Sequence, residues 1–137
     1  MFRNLSYLAV GSIILAGCVS VHETKHITDE KCAKEPARVL RHVVLFKFKD
    51  DTTDEQVRQI ERAFCALPDE VDAIYDFEWG TDVSVENRQR GFTHCFLVTF
   101  LSEDDRAKYI PHPAHKAFGE LLGPHLDKVL VIDYWTN

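Results

Sequence analysis

From Val39 to Lys49 the chain alternates: Leu40, His42, Val44, Phe46 and Phe48 share one face, and Val43, Leu45, Lys47 and Lys49 share the other. A period of two is the signature of a β-strand. With Val43 and Leu45 on its second face, this strand is apolar on both sides. One side serves helices; a surplus apolar sheet face on a small domain is normally buried against something. A second copy of the chain is the economical cover.

The pattern continues in the same style. Thr53 and Gln56 form a capping box, and Val57, Ile60, Phe64 and Leu67 recur at helical spacing until Pro68. Ala73, Tyr75, Phe77 and Trp79 alternate with acidic residues as a second strand closed by Gly80. After a polar loop, Phe92, His94, Phe96, Val98 and Phe100 mark a third strand. Ser102 and Asp105 open a short helix that runs toward Tyr109. Ala117, Phe118, Leu121 and Leu122 predict a further helix, stopped by Gly123-Pro124, and Val129 to Trp135 reads as a last strand. The order β-α-β-β-α-β predicts an α+β, ferredoxin-like domain over 39–137 with an antiparallel sheet.

The chain has 137 residues, 45% hydrophobic and 28% charged, with net charge −6. An acidic balance with no basic patch excludes a nucleic-acid backbone as the main partner. Ahead of the domain, Met1-Phe2-Arg3-Asn4 and the apolar run from Leu5 to Ala16 form a signal peptide over 1–17, too short to span a bilayer. The run ends in Leu15-Ala16-Gly17-Cys18, which resembles the lipobox of bacterial lipoproteins. That resemblance implies cleavage before Cys18, lipid on its thiol and new amino group, and a membrane-anchored protein of the bacterial cell envelope. Val19 after the cysteine resembles the outer-membrane pattern of Gram-negative hosts. Residues 18–38 then read as a flexible tether. His22 and His26 are solvated there rather than metal ligands, and Cys32 has no assigned role. Cys65 and Cys95 read as small buried hydrophobes.

Chemistry is concentrated in Tyr109-Ile110-Pro111-His112-Pro113-Ala114-His115. The prolines forbid a continuous helix and fix a corner. That corner is able to aim Tyr109 and His115 at one point, above a sheet surface bearing His42 and His94. An imidazole ordinarily titrates at about pH 6.5, so His115 suits a general base, and Tyr109 suits a donor to a developing oxyanion. With Phe96 and Phe118 as apolar lining, the pocket would take a small, largely apolar ligand. The same residues also allow a structural reading. Tyr and His then satisfy one another, the phenylalanines fill the interior, and the protein is a non-catalytic dimeric envelope or stress-associated protein. His112, His115 and His125 fall short of a convincing zinc set; no cofactor or metal is expected.

Several segments in order carry a family resemblance. His42-Val43-Val44-Leu45-Phe46-Lys47-Phe48-Lys49-Asp50, Gly91-Phe92-Thr93-His94, Tyr109 through His115, Phe118-Gly119 and Val131-Ile132-Asp133-Tyr134 resemble the stress-responsive A/B barrel (Dabb) domain. The resemblance runs from about Arg41 to Tyr134. It implies a dimeric α+β barrel in which two sheets pack face to face. It also implies a possible enzyme: plant polyketide cyclases of this group perform an intramolecular aldol condensation, using a Tyr and a His that match Tyr109 and His115. The strand histidines match His42 and His94.

Overall fold

The computed structural model describes Pro36 and residues 38–137. The segment 1–17 expected to be a signal peptide, and Cys18, His22, His26 and Cys32, lie outside the described residues. The elements run β1 (Leu40–Phe48), α1 (Asp54–Cys65), α2 (Leu67–Glu70), β2 (Asp76–Thr81), β3 (His94–Phe100), α3 (Glu103–Tyr109), α4 (Pro113–Leu122), a 3-10 turn (Gly123–His125) and β4 (Leu126–Trp135). The strands pair antiparallel in the order β2-β3-β1-β4. This is the ferredoxin-like fold. The doubly apolar β1 is a central strand, flanked by β3 and β4.

Helix starts follow the local chemistry. Thr53 accepts from Gln56 N–H while the Gln56 side chain accepts from Thr53 N–H, a complete capping box. Ser102 accepts from Asp105 N–H at 3.1 Å, and its hydroxyl donates to the Asp105 carboxylate at 2.7 Å. Those bonds hold the Asp105 carboxyl below the usual range, Ser102 first and Lys108 second.

Some boundaries depart from the expected ones. Ala73 to Tyr75 precede β2 rather than opening it, because a turn closes there with Ile74 N–H donating to the Val71 carbonyl at 3.0 Å. Gly80 sits inside β2, paired with Cys95. Pro68 does not end α1; the helix stops at Cys65 and Pro68 lies in the first turn of the separate α2. Cys95 is exposed, not buried. It stands between inward-facing His94 and Phe96, so alternation turns its thiol to the opposite sheet face.

The core lies between the sheet and the helices. Phe64 of α1 stacks on Phe96 of β3 with ring centroids 4.2 Å apart, and Phe118 of α4 packs against Phe64 at 4.7 Å. Phe46 of β1 joins them, 5.2 Å from Phe96. On the other face of the sheet no helix is present among the described residues. Val43, Leu45 and Leu97 are half-buried there, while Leu130, Ile132 and Tyr134 of β4 are 42%, 49% and 47% exposed. An apolar surface this continuous is expected to be covered by a second copy. Light scattering on residues 38–137 should give twice the chain mass, and Ile132→Asp, which buries a charge in such an interface, should give the monomer. A stable wild-type monomer at micromolar concentration would remove sheet-to-sheet pairing.

Candidate functional site

The two helices α1 and α4 cover β3 and β1 but leave β4 largely bare. Val129 and Val131 remain 49% and 47% exposed, although their partners Phe46 and Val44 lie on the buried face of β1. The gap between β4 and the α3–α4 corner is a cleft of about 330 Å³. Its floor is His42, Val44, Phe46, Val129 and Val131. Its walls are Tyr109, Ile110, His115, Phe118, Leu122 and Phe64.

The corner is built by its prolines. Helix α3 ends at Tyr109, and Ile110 closes it by donating to the Arg106 carbonyl at 3.1 Å. Pro113 occupies the first turn of α4, where its missing N–H costs nothing. His112 is the N-cap: its Nδ1 accepts from Ala114 N–H at 3.2 Å. That accounts for His112 structurally. His115, in the first turn of α4, folds back so that Nδ1 donates to the Ile110 carbonyl at 2.9 Å. A carbonyl only accepts, so Nδ1 carries the hydrogen and Nε2 of the neutral ring holds a lone pair.

Tyr109 is 0% exposed and its ring lies 4.3 Å from that of His115 and 5.9 Å from that of His42. Its hydroxyl is buried without a hydrogen-bond partner among the described residues. Burial pushes the phenol well above its ordinary pKa, which keeps it a neutral donor. His42 donates from Nδ1 to Asp133 at 2.7 Å, and the other Asp133 oxygen accepts from Arg106 at 3.0 Å.

The structure therefore brings Tyr109, His115, His42 and Phe118 to one cleft. His94 and Phe96 do not line it. The β1–β3 register sets His94 opposite Phe46, four residues along β1 from His42, which is roughly 13 Å of strand. There His94 Nε2 donates to Glu61 at 2.9 Å and Nδ1 accepts from Thr93 Oγ1 at 2.9 Å. Both nitrogens are occupied. Phe96 is closed off from the cleft by Phe64, which stacks over it. Residues the pattern did not single out are Asp133, Arg106, Ile110, Val129 and Val131. The readable signal for Asp133 was a lone charge inside the otherwise apolar stretch Val129 to Trp135.

An unpaired buried hydroxyl destabilises the native state, so Tyr109→Phe should be at least as stable as wild type by chemical denaturation. Deleting a paired hydroxyl would instead cost about 1 kcal/mol. The pH dependence follows from the raised phenol pKa. The folded state keeps the phenol proton to higher pH than the unfolded chain does, so stability is untouched below the unfolded tyrosine value of about 10 and falls as pH climbs from there toward the folded value. Tyr109→Phe should flatten that alkaline decline; an unchanged slope would contradict the burial of the phenol.

The profile of the family described as Stress responsive A/B Barrel Domain, or Dabb, matches residues 40–136. The Stress-response A/B barrel domain-containing protein HS1 of Arabidopsis thaliana is 42% identical over 95 residues, 69% of this chain and 87% of that protein. Olivetolic acid cyclase of Cannabis sativa is 36% identical over 95 residues, 69% of this chain and 94% of the cyclase. Among solved structures, the hydroxynitrile lyase of Passiflora edulis superposes with a TM-score of 0.68 at 30% identity, covering 72% of this chain and 94% of the lyase. A dimeric ferredoxin-like protein of unknown function from Bacteroides fragilis gives a TM-score of 0.58 at 27% identity, covering 70% and 94%. The chain belongs to the Dabb family of stress-responsive A/B barrel domains.

Proposed function

We propose that this protein binds a small, largely apolar carbonyl compound in the cleft and removes a proton from the carbon beside the carbonyl. The observation that carries this reading is the Tyr109 hydroxyl, buried in an apolar cleft beside the His115 imidazole, with neither the hydroxyl nor the imidazole Nε2 partnered among the described residues. His115 Nε2 takes the proton. The Tyr109 O–H donates to the oxygen as it gains enolate charge, where a donor in a water-poor site stabilises most. The surrounding Val, Phe and Leu side chains hold the apolar remainder of the compound. The enolate carbon then adds to a second carbonyl carbon, an aldol-type step, and the new alkoxide takes back the proton held on His115 Nε2. Two relatives named for enzyme activities, a cyclase and a lyase, support reading the cleft as a reaction site. The working unit is a homodimer joined through the open sheet face, a reading supported by the exposed apolar residues of β4 and by the dimeric relative from Bacteroides fragilis.

The test needs no natural substrate. Benzylacetone in deuterated buffer should exchange its protons next to the carbonyl faster with the protein than without it, followed by NMR. His115→Ala should abolish that acceleration, and Tyr109→Phe should reduce it by about a hundredfold, the scale of one lost oxyanion donor. Equal exchange with wild type and His115→Ala would remove the proposed chemistry.

The same reading puts the protein on a membrane of the bacterial cell envelope, the outer one in a Gram-negative host, facing away from the cytoplasm. Its support is Leu15-Ala16-Gly17-Cys18 after an apolar run. Several acyl chains on Cys18 give a stable anchor, where a single chain binds only marginally. Residues 18–38 serve as the tether. Cys18→Ser should move the protein from the membrane fraction to the soluble one; unchanged fractionation would eliminate the anchor.

A further inference from the structure

We propose that Asp133 and Arg106 are positioning residues that fix the His42 ring, so that its Nε2 offers a lone pair to the cleft. This rests on reading the cleft as a reaction site. The β1–β4 register places Asp133 directly opposite His42. One carboxylate oxygen accepts from His42 Nδ1 at 2.7 Å and the other from Arg106 at 3.0 Å. A carboxylate only accepts and a guanidinium only donates, so both bonds have a single direction. His42 Nδ1 must carry the hydrogen. All three side chains are partly shielded, 11%, 32% and 27% exposed for His42, Asp133 and Arg106, and His42 Nε2 has no partner among the described residues.

Arg106 does more than neutralise a charge. It lies on α3 three residues before Tyr109, on the same helix face. The same helix is tied to β4 a second time, through Glu103 and the Trp135 indole at 3.4 Å. The helix that delivers the phenol thus also grips the carboxylate that orients the imidazole. The consequence is a specific one. In Asp133→Asn the amide oxygen must stay with Arg106, because an amide NH2 cannot accept from a guanidinium. The NH2 then faces His42, whose Nδ1 has to accept, and the hydrogen moves to Nε2. The ring would be in place but inverted in its proton pattern, the effect that a mispaired third group has in triad chemistry.

The test is long-range proton–nitrogen NMR on the full chain with nitrogen-labelled histidine rings. It is run at about pH 8.5, roughly two units above the ordinary imidazole pKa. Wild-type His42 should show hydrogen on Nδ1 and none on Nε2. Asp133→Asn should show the reverse. Adding Arg106→Met to Asp133→Asn frees the amide to turn, and the Nδ1–H form should return. Proton exchange of benzylacetone should fall in Asp133→Asn and recover in the double variant. A wild-type ring with hydrogen on Nε2 overturns the proposal without any variant. So does a folded Asp133→Asn protein whose ring is unchanged, or a double variant that stays inverted. If the ring switches as described while even wild type fails to accelerate exchange, the positioning role stands and the proposed reaction does not.

Discussion

Everything in this domain is arranged around β1. Its alternation gives one face to the helices and one face that no helix covers among the described residues, and its two neighbours decide what each residue meets. On the β3 side, antiparallel pairing puts His42 opposite Val98 and His94 opposite Phe46. On the β4 side the same strand puts His42 opposite Asp133. A one-residue slip in either pairing would send every one of these side chains to the other face. Register, more than any single contact, fixes which polar groups meet.

The phenylalanine layer then divides the helix-facing side into two ends with different fates. Phe46, Phe64, Phe96 and Phe118 interlock in the middle. At the His94 end, Trp79, Phe48, Glu61 and Thr93 close around the imidazole. At the His42 end, β4 projects beyond the helices and the α3–α4 corner arches over it, which leaves the cleft. Two helices over four strands cannot shield every strand; here the uncovered one is the strand whose inward residues are Val129 and Val131.

Much of this was legible in the residues. Period-two alternation and the caps at Thr53 and Ser102 give the element order, and the prolines around His112 give the corner that unites Tyr109 with His115. Parity correctly turned His42 and His94 toward the helices. Parity reports the face but not the height along the strand, which is why His94 was grouped with a site it does not reach. The same rule, applied to Cys95 between two inward residues, already implied exposure. The openness over β4 left no trace in the pattern, because Val129 to Ile132 are apolar at both parities and an uncovered valine looks like a covered one. Asp133 was visible as a charge in an apolar strand, but its meaning depended on a pairing between residues ninety-one apart.

The two ends of the layer also separate structural from chemical use of the same side chains. His94 satisfies both ring nitrogens within the fold, so its burial is compensated and asks for nothing more. His42 and His115 each commit Nδ1 to the protein and leave Nε2 without a partner among the described residues. Between them Tyr109 holds a hydroxyl that is buried and, among the described residues, unpaired. An orphaned buried hydroxyl costs about 1–3 kcal/mol, a sizeable part of the 5–15 kcal/mol that stabilises a typical domain. A fold that only needed a ring at this position would be better served by phenylalanine, which removes that cost and keeps the packing against Phe100 at 5.3 Å. Under the proposed function that hydroxyl is a donor whose acceptor is the bound carbonyl compound, and the two imidazoles beside it, each pinned at one nitrogen, are the acceptors offered to the same compound.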